Sequence, residues 1–228
     1  MKKLFRNFIN IILILVLCFS LYQIFLKSVD YKKASDIHEE ILVEKEENYN
    51  NLVDINPDFK FWIEVENTNI NYPVLQSYNN KFYLNRDIYK NYLSSGSIFM
   101  DYRNDFEKDS NIIIYGHNMK NKTMFENLEK FKEKDFFYDD NKIKIITSDK
   151  EYVYEVFSVY FIDASYDYLV PRFDTDEDFE KYLDEVKKRS IFESDVKISS
   201  SDKIITLSTC SYEGKNTRTV INGKLNEL

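Results

Sequence analysis

Residues 204–209 read Ile-Ile-Thr-Leu-Ser-Thr and lead directly into Cys210. Alternation of apolar and polar residues predicts a β-strand, because successive side chains of a strand point to opposite faces. With that period, Thr206 and Ser208 share the face of Cys210, while the apolar residues between them point into a core. Cys210 therefore ends a strand on its more polar face.

Short stretches rich in Ile, Val, Tyr and Phe recur along the chain from Asn56 onwards. We predict eight strands, at residues 59–65, 70–75, 97–100, 111–115, 142–147, 151–162, 203–209 and 217–225. Apolar residues at helical spacing interrupt the strands twice, with a short helix around 124–131 and a better one around 179–186. The pattern predicts a mainly β fold, a closed or nearly closed barrel decorated by helices.

The N-terminus carries a candidate membrane anchor. Lys2, Lys3 and Arg6 precede residues 7–26, which contain no charged side chain and as a helix would span roughly 30 Å, the thickness of a hydrocarbon core. Basic residues on the short side favour a cytoplasmic N-terminus, with the remaining chain outside the cell. A cleavable signal peptide is the alternative, although its apolar region is usually shorter and followed by small residues.

These features divide the chain into three parts. Residues 1–27 form the cytoplasmic tip and the transmembrane anchor, 28–55 a polar helical linker, and 56–228 the extracellular domain. A formal charge of −8 argues against a nucleic-acid partner, because such proteins need a basic surface to displace counterions from phosphates. We therefore look for function in the domain at 56–228.

The chain has two cysteines, one in the apolar N-terminal segment and one at Cys210. A disulfide between them is geometrically implausible, and two His and two Cys so far apart give no zinc site. An exported domain with one unpaired thiol needs an explanation, since exported proteins usually pair their cysteines or omit them. One explanation is a catalytic nucleophile, and the alternative is a small, packed hydrophobic residue.

Two further residues could assist Cys210. If strands 203–209 and 217–225 pair as a hairpin, Arg218 returns to about 5 Å from Cys210 at Cβ, where its charge would favour a thiolate. His117 follows strand 111–115 and Gly116, which permits a sharp turn at a barrel rim. Taken singly, Arg218 could be a solvated strand residue and His117 an ordinary loop histidine. A cysteine enzyme needs a proton partner, however, and the other histidine, His38, lies in the charged linker.

At these residues the sequence resembles the sortase family. Tyr115-Gly116-His117-Asn118-Met119 is similar to the family's histidine motif, Leu207-Ser208-Thr209-Cys210 to its nucleophile motif, and Arg218 falls at the position of the catalytic arginine. The chain resembles class B best, because the helix at 176–189 is similar to the helical insertion that class B carries before the nucleophile strand. The resemblance implies an eight-stranded sortase-type β-barrel with N-terminal helices, that helical insertion and an N-terminal transmembrane helix.

The resemblance also implies an activity and its partners. Cys210 would cleave a C-terminal sorting signal of a secreted protein after Thr, and the thioester would be resolved by a peptidoglycan precursor amine. His117 would transfer protons, and Arg218 would hold the substrate and developing charge. Six residues match the class B substrate groove: Tyr115, Asn80, Ser208, Thr209, Tyr168 and Leu169. No metal or other cofactor is implied.

Two other functions remain open for this sequence. A secreted cysteine peptidase also uses Cys and His, although its usual order places the cysteine first and on a helix. A membrane-tethered, non-catalytic β-domain that binds the wall or partner proteins would need Cys210 only for packing. Processing of a peptide in the presence and absence of an amine separates these functions from a transpeptidase.

Overall fold

A computed structural model describes residues 2–166, 168–210, 214 and 216–226. The chain divides into two compact units, Met1–Glu40 and Ile41–Leu228. Helix α1 runs without a break over Lys2–Asn48, so the predicted anchor and most of the predicted linker are one helix. The helix is long and apolar enough to cross a membrane, and its large apolar side chains from Leu4 to Leu26 are exposed.

Eight strands form a closed barrel in the second unit. They are β1 (Phe59–Val65), β2 (Asn71–Leu75), β3 (Ile98–Met100), β4 (Asn111–Tyr115), β5 (Lys142–Ile146), β6 (Glu151–Asp163), β7 (Ile204–Cys210) and β8 (Thr217–Leu225). Their order around the barrel is β1-β2-β3-β4-β7-β8-β6-β5. The predicted eight-stranded barrel is therefore confirmed, and every predicted strand is present within a residue or two.

Helices cover the ends and one side of the barrel. They are α2 (Asn51–Ile55), α3 (Lys134–Tyr138), α4 (Asp176–Arg189) and two 3-10 helices at Phe82–Asn85 and Glu126–Lys132. Helix α4 is the predicted insertion before the nucleophile strand, and its N-cap Thr175 accepts a hydrogen bond from the Asp178 amide. The predicted helix around 124–131 is a 3-10 helix that starts only at Glu126, because Met124 adopts a left-handed backbone with φ of 57°.

Two strand pairings determine which residues meet at the barrel rim. Strands β4 and β7 are parallel neighbours with Tyr115 opposite Ser208, so the segments that follow them emerge at the same rim. Strands β7 and β8 are antiparallel with Cys210 opposite Arg218, as the sequence predicts. In the predicted hairpin loop between them, Ser211–Glu213 and Lys215 lie outside the described residues.

The buried apolar residues that the structure describes include one cluster inside the barrel and another beneath α4. Ile205 and Leu207 lie in the first cluster, as their alternation predicts. Thr206 and Ser208, on the opposite face, are buried as well. That face is covered rather than solvated, because the segment before α4 and strands β4 and β8 supply hydrogen bonds to both hydroxyls.

The segment before β1 packs on the barrel. Ile41 and Leu52 are buried, and the Tyr49 hydroxyl donates to the Ile146 carbonyl at 2.6 Å. The second compact unit therefore begins within α1, at Ile41. The division into an anchor at 1–27, a linker at 28–55 and a domain at 56–228 stays a prediction about the role of each segment.

Candidate active site

Cys210 is the last residue of β7 and carries a free, exposed thiol. The six residues before it in β7 are all buried. The strand is therefore anchored through the core up to its final residue, and the thiol projects from a rigid element at the rim. An exposed sulfur on a fixed backbone is what a nucleophile requires, whereas a packed structural cysteine would be buried.

Arg218 lies directly opposite Cys210 in the β7–β8 ladder. Its Nη1 donates to the Thr217 carbonyl at 3.2 Å, and its side chain is half-buried. The strand pairing thus places the permanent positive charge of Arg218 on the residue opposite Cys210. Arg218 also acts on Tyr168: burial raises the pKa of this phenol, while the hydrogen bond with Ser208 and the positive charge of Arg218 lower it, and burial outweighs them.

Gly116 shapes the turn that presents His117. A Cβ on Gly116 would lie 2.6 Å from the ring of Phe125, which is fully buried in the barrel core. The position therefore needs glycine for close packing against this ring, whereas the sequence suggested only conformational freedom. The chain returns after the turn, where the Phe125 amide donates to the His117 carbonyl at 2.9 Å.

The imidazole of His117 is oriented by a backbone carbonyl. Its Nε2 lies 2.7 Å from the carbonyl oxygen of Leu84, in the first 3-10 helix. A carbonyl can only accept, so Nε2 carries the proton in this hydrogen bond. In the neutral ring Nδ1 is then the basic nitrogen, available for proton transfer. The sequence offered no partner for His117, because a main-chain oxygen leaves no mark in the side-chain pattern.

A pocket of about 510 Å³ opens at this rim. All nine site residues predicted from the sequence line it, namely Cys210, His117, Arg218, Tyr115, Asn80, Ser208, Thr209, Tyr168 and Leu169. Among the described residues, the pocket is also lined by Leu84, Phe99, Arg103, Gly116, Ala164 and Tyr166. Strands β4, β7 and β8, the first 3-10 helix and the segment before α4 therefore form a single concave site.

Asp101 lies beneath one end of this pocket and was not predicted from the sequence. Its fully buried carboxylate accepts hydrogen bonds from Tyr115, Asn80 and, through two side-chain nitrogens, Arg103. Burial would raise the pKa of Asp101, but these donors outweigh it and lower the pKa below its usual value. The carboxylate is therefore an ionised centre that holds two of the predicted groove residues.

Arg103 extends this network to the opposite wall. Its Nη2 donates to the Leu169 carbonyl at 3.0 Å, and its side chain is 40% exposed in the pocket. Burial and the Asp101 carboxylate also act on Tyr115, whose pKa is raised, so its hydroxyl stays a donor. The only sequence signal for the pair is the spacing Asp-x-Arg, which is too common to be informative.

Asn118, the residue after His117, connects the two catalytic candidates. Its Nδ2 donates to the Cys210 carbonyl at 2.8 Å. The histidine loop and the end of β7 are thus joined directly, although they lie far apart in the sequence. Among the described residues, no group of three His, Cys, Asp or Glu side chains is close enough to hold a metal ion.

A sequence model of the Sortase domain matches residues 63–226, which is most of the chain. The chain belongs to the sortase family. Sortase B of Listeria monocytogenes is 42% identical over 177 residues, covering 76% of this chain and 72% of the relative. The relatives place this sortase in class B, as the helix at 176–189 before the nucleophile strand predicts.

Solved structures agree with this assignment. Sortase B of Clostridium perfringens superposes with a TM-score of 0.77 at 42% identity, covering 79% of this chain and 100% of the other. A sortase B–substrate complex of Staphylococcus aureus gives a TM-score of 0.75 at 33% identity, covering 86% of this chain and 94% of the other. Sortases are cysteine transpeptidases, so this chain is an enzyme of acyl transfer with peptide-bond cleavage.

Proposed function

We propose that this sortase cleaves a C-terminal sorting signal after Thr and joins the secreted protein to a peptidoglycan amine through a thioester on Cys210. One observation carries the proposal: an exposed thiol, an oriented imidazole and a guanidinium open into the same pocket. The S. aureus relative of 33% identity was solved as a substrate complex, which supports a peptide as the ligand of this pocket.

The first step is attack by the Cys210 sulfur on the Thr carbonyl carbon. A C–S bond forms, the peptide C–N bond breaks, and the departing amine takes a proton from the His117 imidazolium. Oxygen of the scissile carbonyl becomes negative in the tetrahedral intermediate, and Arg218 is the cation available to stabilise it. The products are a thioester on Cys210 and a released C-terminal peptide.

The second step returns the enzyme to its starting state. An acceptor amine attacks the thioester carbonyl, gives its proton to the neutral His117, and the C–S bond breaks as the new amide forms. No water is consumed, so the reaction is a transfer. The accessible rim position of Cys210 supports this step, because a bulky wall precursor must reach the thioester.

The groove residues would bind the sorting signal along the wall of this pocket. Tyr115, Asn80 and Leu169 are held by the network around Asp101 and Arg103, and Tyr168 shares a hydrogen bond with Ser208 at 3.0 Å. A wall fixed by such bonds lowers the entropy cost of ordering the peptide. We assign this wall and Thr209 to recognition of residues that precede the cleaved bond.

We also propose that the N-terminal helix anchors the enzyme. The helix carries exposed apolar residues from Leu4 to Leu26, preceded by basic residues. With the N-terminus in the cytoplasm and the barrel outside, residues 1–27 would form the tip and anchor, 28–55 the linker, and 56–228 the catalytic domain. This arrangement would keep the catalytic domain on the outer side of the membrane, where exported proteins and wall precursors emerge.

The decisive experiment uses the full chain in detergent micelles with a library of sorting-signal peptides. Mass spectrometry of the intact protein should show one acyl adduct, on Cys210. Its mass should correspond to the peptide cleaved after Thr. Adding a wall-type amine should convert the adduct into a peptide amide. Hydrolysis that no amine diverts would contradict the transferase proposal, and an adduct on any other residue would contradict the assignment of Cys210.

A further inference from the structure

Asn118 joins the histidine loop to the nucleophile through its side-chain amide. Nδ2 donates one hydrogen bond to the Cys210 carbonyl at 2.8 Å and a longer one, 3.4 Å, to Oε1 of Glu129. An amide nitrogen has two hydrogens, so both are used. Asn118 Oδ1 is buried and accepts no hydrogen bond from the described residues. The hydrogen bonds that Nδ2 donates therefore determine the position of the Asn118 side chain.

Glu129, on the second 3-10 helix, holds the other side of this arrangement. Its Oε1 accepts from the Thr219 hydroxyl at 2.8 Å, and its Oε2 accepts from Lys132 at 2.8 Å. Thr219 is fully buried and follows Arg218 in β8. One carboxylate thus touches the segment after His117 and the strand that carries Arg218, and through Asn118 it reaches the backbone of Cys210.

The burial of this carboxylate indicates that the contact is more than a surface ion pair. Glu129 has 22% of its side chain exposed and Lys132 14%, so the pair is largely shielded from solvent. Burying a carboxylate is costly unless its oxygens are bonded. Three donors from three different elements meet that need here. A residue that only stabilised the 3-10 helix would require no contact with Asn118 or Thr219.

We propose that Glu129 is a positioning residue, which acts through Asn118 and Thr219 to hold the His117 loop, Cys210 and Arg218 in register. The inference rests on the proposed catalytic roles of those three residues. Glu129 touches neither the thiol nor the imidazole, so its effect is on their geometry. Small displacements of reacting groups lower rates strongly, by up to about 100-fold for 1 Å.

Three substitutions separate this role from a general loss of stability. Asn118→Asp keeps the size of the side chain but removes both donors and faces the Cys210 carbonyl and Glu129 with a negative charge. Glu129→Ala removes the acceptor altogether. Glu129→Gln keeps an oxygen that can accept from Asn118 and Thr219, and should act as a rescue. Glu126→Ala is the matched control, since this half-buried residue of the same 3-10 helix bonds Asn127 instead.

The experiment measures single-turnover acylation and steady-state transpeptidation with the full chain and one sorting-signal peptide. We expect kcat to fall roughly 10- to 100-fold in Asn118→Asp and Glu129→Ala, with KM for the peptide within about twofold. Glu129→Gln should stay within about threefold of the parent, and Glu126→Ala should be unchanged. Melting temperatures identify any variant that is simply unfolded, in which case Asn118→Asp, the near-isosteric change, decides.

Two results would overturn the inference. One is a kcat within threefold of the parent in folded Asn118→Asp, and the other is a loss in KM with kcat preserved. Failure of the proposed function looks different, because then the parent chain itself would form no acyl-enzyme with any peptide. An equal loss in Glu129→Gln and Glu129→Ala would also contradict positioning by hydrogen bonds.

Discussion

The two ends of the pocket are built in opposite ways. At the Cys210 end the thiol is exposed, and Arg218 is held through a backbone carbonyl next to it in sequence. At the Asp101 end a fully buried carboxylate gathers donors from Arg103, Tyr115 and Asn80. A reacting group must be reached by both substrates, so its side chain is exposed on a fixed backbone, whereas a wall that recognises a peptide can be fixed by buried bonds. The contrast therefore separates chemistry from recognition.

Removing the thiol should give the largest effect and tests the Cys210 end directly. Cys210→Ala is expected to lower transpeptidation at least about a thousandfold, because the proposed acyl-enzyme cannot form. The side chain is exposed, so the melting temperature should change by no more than a degree or two. Intact-protein mass spectrometry with a peptide checks both claims. Substantial turnover by this variant would end the assignment of the two pocket ends.

Arg218 should give the next largest effect. Arg218→Lys keeps the charge but loses the planar fork, so it separates electrostatic attraction from fixed geometry. We expect kcat/KM to fall roughly 100-fold in Arg218→Ala, as for loss of an oxyanion donor, and less in Arg218→Lys. Initial rates with a single peptide measure the difference. Full activity in Arg218→Ala would show that the opposite strand supplies no catalytic charge.

The Asp101 end should respond in stability before it responds in chemistry. Asp101→Asn leaves Arg103 without its counter-ion, and we expect the free energy of unfolding to fall by about 3 kcal/mol. This value is at the lower end of the range for a broken buried ion pair, because Arg103 is partly exposed to solvent. Urea denaturation measures it. A variant as stable as the parent would show that the buried network is not what makes this end rigid.

The pH dependence of the same variant gives a second measure. The pKa of Asp101 is lowered in the folded chain, so its contribution to stability is complete above the unfolded pKa of about 4 and is lost as pH falls through the folded value. The Asp101→Asn variant lacks this pH-dependent contribution to stability. The difference in unfolding free energy between the two proteins should therefore shrink below about pH 4, and a difference that grows there would contradict the assignment.

Arg103→Lys should give the smallest effect, and it tests whether the Asp101 end acts on peptide binding alone. A lysine keeps one bond to Asp101 but cannot also hold the Leu169 carbonyl with a fixed fork. We expect a loss of about 1 kcal/mol in stability and a rise in KM of a few-fold, with kcat unchanged. Steady-state kinetics over a range of peptide concentrations checks this split. A fall in kcat with constant KM would mean that the two pocket ends are coupled.

Most of the barrel could be predicted because its strands obey local rules. In β7, Ile205 and Leu207 alternate with polar residues, and in α4 the apolar residues return every three or four positions, so each element records its own buried face. The parallel neighbours β4 and β7 carry no such signal, since pairing across 93 residues is a property of the whole fold. Motif order nevertheless predicted that His117, Cys210 and Arg218 meet, and the three line one pocket.

The parts that could not be predicted depend on long-range contacts. Leu84 orients His117 with a main-chain oxygen, which any residue could offer. Ser208 is buried because a tyrosine 40 residues earlier covers it, and no strand periodicity reveals a covering segment. Asp101 resembles a surface loop residue until its donors are assembled. In each case the deciding partner is distant in sequence and unrelated to local propensity.

The parallel pairing of β4 with β7, closed by β8, also sets when the enzyme can become active. The thiol and the guanidinium lie on β7 and β8, and the imidazole lies in the segment that follows β4. Because long-range strand pairing forms slowly, we expect the folding chain to stay inactive until the β7–β8 hairpin docks on the barrel. In refolding experiments, transfer activity should appear together with amide protection of β8, and earlier activity would contradict this latency.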